Sequence, residues 1–122
     1  MTEAMPRRKL AAILAAGVVG FSKLMGQSED RTLKNLKACR TITDTAIEAS
    51  HGRIFGSAGD SAIAEFASAV DAVLAAVEFQ KNILNRNETG SPENIMRFRG
   101  GLNLGDVMGE GDNLFGDGVN IA

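Results

Sequence analysis

The segment from Phe98 to Ala122, FRGGLNLGDVMGEGDNLFGDGVNIA, restricts the fold more than any other part of the chain. It predicts a strand, a tight acidic turn and a second strand that stops before a Gly-rich loop. Ile95–Leu104 and Val107–Met108 carry the strand pattern. Five glycines fall between Gly105 and Gly118, with Asp106, Glu110, Asp112 and Asp117 spread among them. Glycine tolerates positive φ and lets another backbone or a ligand come close, so this density marks constrained turns rather than slack linker. Val119–Ala122 is apolar and reads as the start of a further element.

The elements before it follow from periodicity and punctuation. Lys9–Val19 predicts a buried strand, followed by a loop at Gly20-Phe21-Ser22. Ser28 is a natural helix N-cap, with Glu29 and Asp30 in the first turn where the helix dipole favours them. Leu33, Leu36, Ile42 or Thr43, Ala46 and Ile47 recur at helical spacing as far as Ser50. His51-Gly52 ends that helix, with glycine suited to a left-handed C-terminal position. Arg53–Phe55 and Ala62–Phe66 are short strands around the turn Gly56–Asp60. Ser68 caps a second helix, with Asp71 three residues later as in a capping box, and Val70, Val73, Leu74, Val77 and Leu84 form its apolar face. Asn85–Asn94 is a polar loop.

Strand, helix, strand, strand, helix, strand, strand is the order of a ferredoxin-like α+β domain, an antiparallel sheet with two helices packed on one face. At 122 residues the chain forms one domain with room for a hydrophobic core. Residues 1–7 are assigned to an N-terminal tail and residues 8–122 to the domain.

Composition narrows the function classes. A net charge of −2 argues against a general nucleic-acid binder, which needs a basic surface to neutralise phosphates. The lone cysteine, Cys39, excludes an intramolecular disulfide and fits a reducing compartment, so a cytoplasmic location is expected. Its helical setting marks a buried thiol rather than a nucleophile. Arg7, Arg8 and Lys9 before the apolar run Leu10–Phe21 have the layout of a secretory signal. Gly17, Gly20, the Val18-Val19 pair and the lack of a disulfide framework argue instead for a strand. Twelve residues are also too few to span a bilayer, so no membrane segment is expected.

Three loops can meet at one end of such a sheet: Gly17–Ser22, Gly56–Ser61 and Leu114–Asn120. The first places backbone N–H groups ahead of a helix, an arrangement suited to phosphate. The second holds Asp60 in a glycine-flanked turn, where a hard cation such as Mg²⁺ can bind together with nucleotide phosphates. Asp60 can equally serve to stabilise the hairpin turn, and on composition alone that is the simpler role. The acidic cluster Glu110–Asp117 lacks EF-hand spacing and reads as a solvated turn, and His51 reads as a capping or surface histidine.

The stretch Arg8–Ser22 (RKLAAILAAGVVGFS) closely resembles the opening strand of class III adenylate and guanylate cyclases, in particular their bacterial branch. Gly59-Asp60 followed by Ala64-Glu65-Phe66 resembles the family's metal-binding hairpin, and Phe98–Val107 with Phe115–Ala122 resembles its later strands and Gly-rich loop. All lie in family order from about Arg8 to the last residue.

The resemblance implies a catalytic domain that dimerises, as a homodimer or heterodimer, with sites at the subunit interface. ATP or GTP is the implied nucleotide and Mg²⁺ or Mn²⁺ the implied cofactor. Two ions would bridge the triphosphate and activate the ribose 3′-hydroxyl, which attacks the α-phosphate and expels pyrophosphate. Asp60 matches one metal-binding aspartate, while Gly17 stands at the position of the other, leaving the Val18 carbonyl as a further ligand. Val18, Val19, Gly20, Phe21 and Ser22 match the phosphate-holding loop. Gly56 stands where adenylate-forming members carry a base-reading lysine, and Asn113 where they carry its aspartate partner. Asn120 matches the asparagine that orients the ribose, and the family's transition-state arginine falls beyond Ala122. These departures predict a cyclase-like domain without activity as this chain. A non-catalytic interaction or dimerisation module is the alternative, and a small ligand-binding domain of similar fold unrelated to cyclases is a third.

Overall fold

A computed structural model describes residues 7–110 and 113–116, with side-chain surroundings described for residues 11–105. The strands are β1 (Arg7–Val18), β2 (Arg53–Ala58), β3 (Ser61–Phe66), β4 (Phe98–Glu110) and β5 (Asn113–Gly116). The helices are α1 (Phe21–Gln27), α2 (Glu29–Ala49) and α3 (Ala69–Thr89), with a single 3₁₀ turn at Pro92–Asn94. The sheet order is β2-β3-β1-β4-β5 and every neighbouring pair is antiparallel. This is the expected ferredoxin-like arrangement, extended at one edge by the β4–β5 hairpin.

Strand alternation divides the sheet into two faces. Ala12, Leu14, Ala16 and Val18 of β1 join Ala64, Phe66 and Phe98 in the main core, against Cys39, Ala46 and Ile47 of α2 and Ala72, Ala75, Phe79 and Ile83 of α3. Phe66 and Phe79 are fully buried, each contributing roughly 1.5–3 kcal/mol of apolar transfer. Gly100 leaves space for the Phe79 ring, whose Cζ would stand 3.4 Å from an added Cβ. On the opposite face Ala11 and Ile13 form a smaller cluster with Phe55 and Ile63. Beside it Arg53 and Glu65, paired across β2 and β3, share a hydrogen bond of 2.7 Å from Nε to Oε1.

Both N-caps form as the sequence indicates. Ser28 Oγ accepts from the Arg31 N–H at 3.3 Å, and Ser68 Oγ from the Asp71 N–H at 3.2 Å. Three local expectations are corrected. Phe21 and Ser22 open the short helix α1 instead of lying in a loop, and α1 is tied to α2 by Thr32 Oγ1 donating to the Leu24 carbonyl at 2.9 Å. The left-handed residue that ends α2 is His51, at φ 67°, not Gly52. Gly52 answers a different demand: an added Cβ would lie 2.5 Å from Phe66 Cε2 and 2.7 Å from Ile47 Cγ2.

The third correction concerns α3, which runs on to Thr89 and takes up the first half of the Asn85–Asn94 segment expected as loop. Val70, Val73, Leu74, Val77 and Leu84 are exposed, and the core stripe is Ala72, Ala75, Phe79 and Ile83. Alanines at the contact let α3 lie close on the sheet, which turns the larger aliphatic residues outward. Side-chain amides then fasten α3 to the segment entering β4. Asn87 both donates to the Met96 carbonyl (2.9 Å) and accepts from its N–H (3.1 Å), and Gln80 donates to the Phe98 carbonyl at 2.7 Å. Among the described residues, no helix is long and apolar enough to cross a membrane.

Candidate functional site

The β2–β3 hairpin turns through Gly59 and Asp60, with Ala58 paired to Ser61. Gly59 takes φ 55°, as a two-residue hairpin turn requires, and Ser61 Oγ donates to the Ala58 carbonyl at 2.9 Å. The turn delivers the Asp60 carboxylate to the end of β1, where Oδ2 accepts a 2.9 Å hydrogen bond from the Val18 N–H. A Cβ added at Gly17 would lie 3.5 Å from the same oxygen and 3.9 Å from Ser61 Cβ, both ordinary contacts. Gly17 and Asp60, 43 positions apart in the chain, are therefore adjacent on the sheet face opposite the helices.

The remaining candidate residues distribute as follows. Val18 ends β1 with its side chain in the core and its N–H committed to Asp60. The Val19 N–H donates to the Arg97 carbonyl at 2.8 Å. Gly20, at φ 67°, precedes Phe21 and Ser22 in the first turn of α1, where N–H groups lack intrahelical acceptors. Gly56 pairs with Ile63 beside a register shift in β2, and an added Cβ there meets nothing within 4 Å. Asn113 begins β5, where the backbone alone is described, and Asn120 lies outside the described residues.

One functional candidate was not legible in the sequence. Arg99 is the direct antiparallel partner of Gly17 across β1 and β4. Its neighbour Phe98 packs into the helix-side core, so alternation places Arg99 on the face that carries Gly17 and Asp60. The strand pattern alone could set Phe98 inward and Arg99 outward, but only the register puts Arg99 beside Gly17.

The donor set does not fit a clamp for two divalent ions. Asp60 supplies one carboxylate, Gly17 supplies none, and no group of three or more His, Cys, Asp or Glu side chains comes together among the described residues. Hard cations are held by several oxygen ligands, and a pair of ions needs more carboxylate charge than Asp60 carries. Cys39 is fully buried, and burial raises its thiol pKa above the ordinary value, opposed by the nearby Arg86 guanidinium. It is a protonated core thiol, not a nucleophile. An open apolar cavity of about 600 Å³ lies along α3 and the start of β4, lined by Gln80, Ile83, Leu84, Asn87, Ile95 and Phe98 among others. It receives no residue from β1 or the β2–β3 turn, so it is separate from the Asp60 site.

An antiparallel α+β domain with a carboxylate-bearing hairpin against its first strand is the nucleotide cyclase type of fold, which solved cyclase structures share. A Rhizobium meliloti (strain 1021) protein described as "Putative adenylate cyclase 3" is 42% identical over 117 residues, 95% of this chain. The chain spans only 20% of that protein's length. A crystal structure of an adenylate/guanylate cyclase/hydrolase from Silicibacter pomeroyi superposes with a TM-score of 0.84 at 36% identity, over 95% of this chain and 68% of that one. A bacterial light-regulated adenylyl cyclase shares the fold with a TM-score of 0.86 at 20% identity, over 97% of this chain and 39% of its own. No family model matches the chain. The chain belongs to the class III adenylate/guanylate cyclase catalytic-domain family.

Proposed function

We propose that this is a cyclase-homology domain of cyclic-nucleotide signalling, able to hold a nucleoside triphosphate and deficient in turning it over. The observation that carries the reading is the Gly17–Asp60 pair: one carboxylate is in place and the second position is bare, with room for a side chain. In a competent arrangement the reaction forms a cyclic nucleotide from ATP or GTP and releases pyrophosphate. Asp60 and the Val18 carbonyl would serve metal, Gly20–Ser22 with Val18 and Val19 the phosphates, and Asn120 the ribose. Gly56 and Asn113 stand at the base-reading positions without the lysine and aspartate that discriminate adenine. Mg²⁺ or Mn²⁺ would neutralise the triphosphate and polarise the reacting oxygens when bound. Pairing through cyclase domains, as a homodimer or with a competent second chain, and a reducing cytoplasmic setting belong to the same proposal.

A second reading, a non-catalytic interaction module, is favoured by the absence of side chains at both Gly17 and Gly56. Calorimetric titration of non-hydrolysable ATP and GTP analogues, with and without Mn²⁺, tests the first against the second. Binding of either analogue supports the nucleotide site. Failure of both, with formation of a heterodimer with an active cyclase domain, supports the module.

A further inference from the structure

We propose that Gln80 and Asn87 of α3 are positioning residues for the loop that follows β1, a proposal that rests on the nucleotide-binding reading above, which assigns that loop to the phosphates. The β1–β4 register ends with Val18 opposite Phe98, so Val19 stands opposite Arg97 where the next pair falls. This pair is closed by the Val19 N–H donating to the Arg97 carbonyl at 2.8 Å. The chain thus leaves β1 on two successive tethers, Val18 to the Asp60 carboxylate and Val19 to Arg97. Together they set where the chain turns at Gly20, φ 67°, into α1.

The second tether is only as firm as the segment that carries it. Extended chain points successive carbonyls to opposite edges, so while the Arg97 carbonyl faces β1, those of Met96 and Phe98 face away. On that outer edge β5 pairs with Val107–Glu110, and among the described residues no strand reaches Met96 or Phe98. Both residues are buried, and buried backbone groups need partners. Gln80 and Asn87, two helical turns apart and therefore on one face of α3, take the place of the missing strand. Gln80 Nε2 donates to the Phe98 carbonyl at 2.7 Å. The Asn87 amide donates to the Met96 carbonyl and accepts from its N–H, the two-bond exchange that a strand neighbour makes. Arg86 continues the series, with Nη1 donating to the Asn94 carbonyl at 2.9 Å. Without the amides, the Met96 and Phe98 groups are satisfied only by swinging towards water, and the Arg97 carbonyl moves with them. A loop released in this way must be ordered again when phosphate binds, and affinity falls by that cost.

The test joins amide hydrogen exchange to calorimetric titration of non-hydrolysable ATP and GTP analogues in Mn²⁺, on wild type, Gln80→Leu and Asn87→Leu. In each variant the Val19 amide is expected to speed up about tenfold more than that of Leu14, in the buried middle of β1, which reports global opening. Affinity for whichever analogue binds wild type should fall roughly three- to tenfold, the scale of one hydrogen bond. Lys81→Gln, at an exposed position beside Gln80, should change neither readout. Gly52→Ala disturbs the core at the other end of β3 from Asp60, so it should lower the melting temperature and leave affinity unchanged. Gln80→Leu loses one bond at a half-buried position, and it decides the matter if Asn87→Leu does not fold. Faster Val19 exchange with unchanged affinity, lower affinity with unchanged exchange, or an equal loss of affinity in Gly52→Ala overturns the positioning role and leaves the nucleotide reading standing. A wild type that binds neither analogue overturns the nucleotide reading, and the positioning role with it.

Discussion

The Asp60 carboxylate and the Val18 N–H are joined by a 2.9 Å hydrogen bond that closes the β2–β3 hairpin onto the end of β1. The bond gives Asp60 a structural role that persists without any metal. It also sets the carboxylate directly beside position 17, where glycine leaves room for a Cβ at 3.5 Å from Oδ2.

Gly17→Asp is therefore expected to fold and to convert stability into a metal-dependent quantity. Without metal the new carboxylate meets Asp60 at short range, a repulsion of about 1 kcal/mol even with water-like screening, and the facing Arg99 offsets part of it. In EDTA the variant should melt no more than roughly 4 °C below wild type. Saturating Mn²⁺ should more than recover the loss, since a ligand at 100 times its Kd contributes about 2.7 kcal/mol. Thermal melts of both proteins with EDTA and with Mn²⁺ check this. Equal melting temperatures for the variant under the two conditions would show that the two carboxylates do not form a joint site.

The end of α2 offers a paired prediction of opposite signs. The Gly52 N–H donates to the Ile47 carbonyl at 2.9 Å and the His51 N–H to the Glu48 carbonyl at 3.1 Å, which is the Schellman pattern. Gly52→Ala should destabilise by about 1–3 kcal/mol, because its methyl group would overlap the Phe66 ring in a packed core. His51→Gly should stabilise slightly, by roughly 0.5 kcal/mol. The left-handed conformation costs an L-residue about 1–2 kcal/mol, and glycine gives back about 0.5–1 kcal/mol in chain entropy. Denaturant midpoints for the two variants should fall on opposite sides of wild type.

This same helix end shows what the sequence could and could not convey. The signal of a stop was present in His51-Gly52, but the need for glycine at position 52 comes from Phe66, fourteen positions further along, and not from a left-handed backbone. Strand order, the two long helices, both serine caps and the Asp60 turn were legible because each rests on local chemistry, whereas the short helix α1 was not. The buried stripe of α3 was not, since periodicity weights large aliphatic residues and the contact was made by Ala72 and Ala75. At the site, Gly17 and Asp60 were identified by resemblance to a family. Arg99 required the β1–β4 register, which no short-range pattern encodes.

Cys39 makes a pH prediction whose sign is fixed by its burial. Its folded pKa is raised by desolvation, with Arg86 pulling weakly the other way. The folded state thus favours the neutral thiol. The associated stability is fully present below the unfolded pKa of about 9 and is lost as pH rises towards the folded value. Wild type should lose stability above roughly pH 9 more steeply than Cys39→Ala, while the two curves run parallel between pH 6 and 8. Urea melts across that range decide it, and parallel curves above pH 9 would remove the thiol as the cause.

The outward face of α3 predicts self-association. Val70, Val73, Leu74 and Val77 are 48–67% exposed and follow helical spacing, and Leu102 and Leu104 of β4 add 44% and 56% exposed leucines. Val73, Leu102 and Leu104 line one shallow cavity together with Ala69 and Ala72, so helix and strand contribute to a continuous apolar surface. Contiguous apolar surface of this kind drives association once its burial outweighs the entropy lost on binding. The isolated chain is expected to show concentration-dependent mass in sedimentation velocity and to bind a fluorescent apolar dye while folded. Val73→Lys with Val77→Lys should lower both signals and leave the melting temperature within a few degrees, because both positions already meet water. Ala75→Lys, two residues away on the same helix, should instead prevent folding, since that site is fully buried. If the double variant sediments as wild type does, association runs through another surface and the α3 stripe has no part in it.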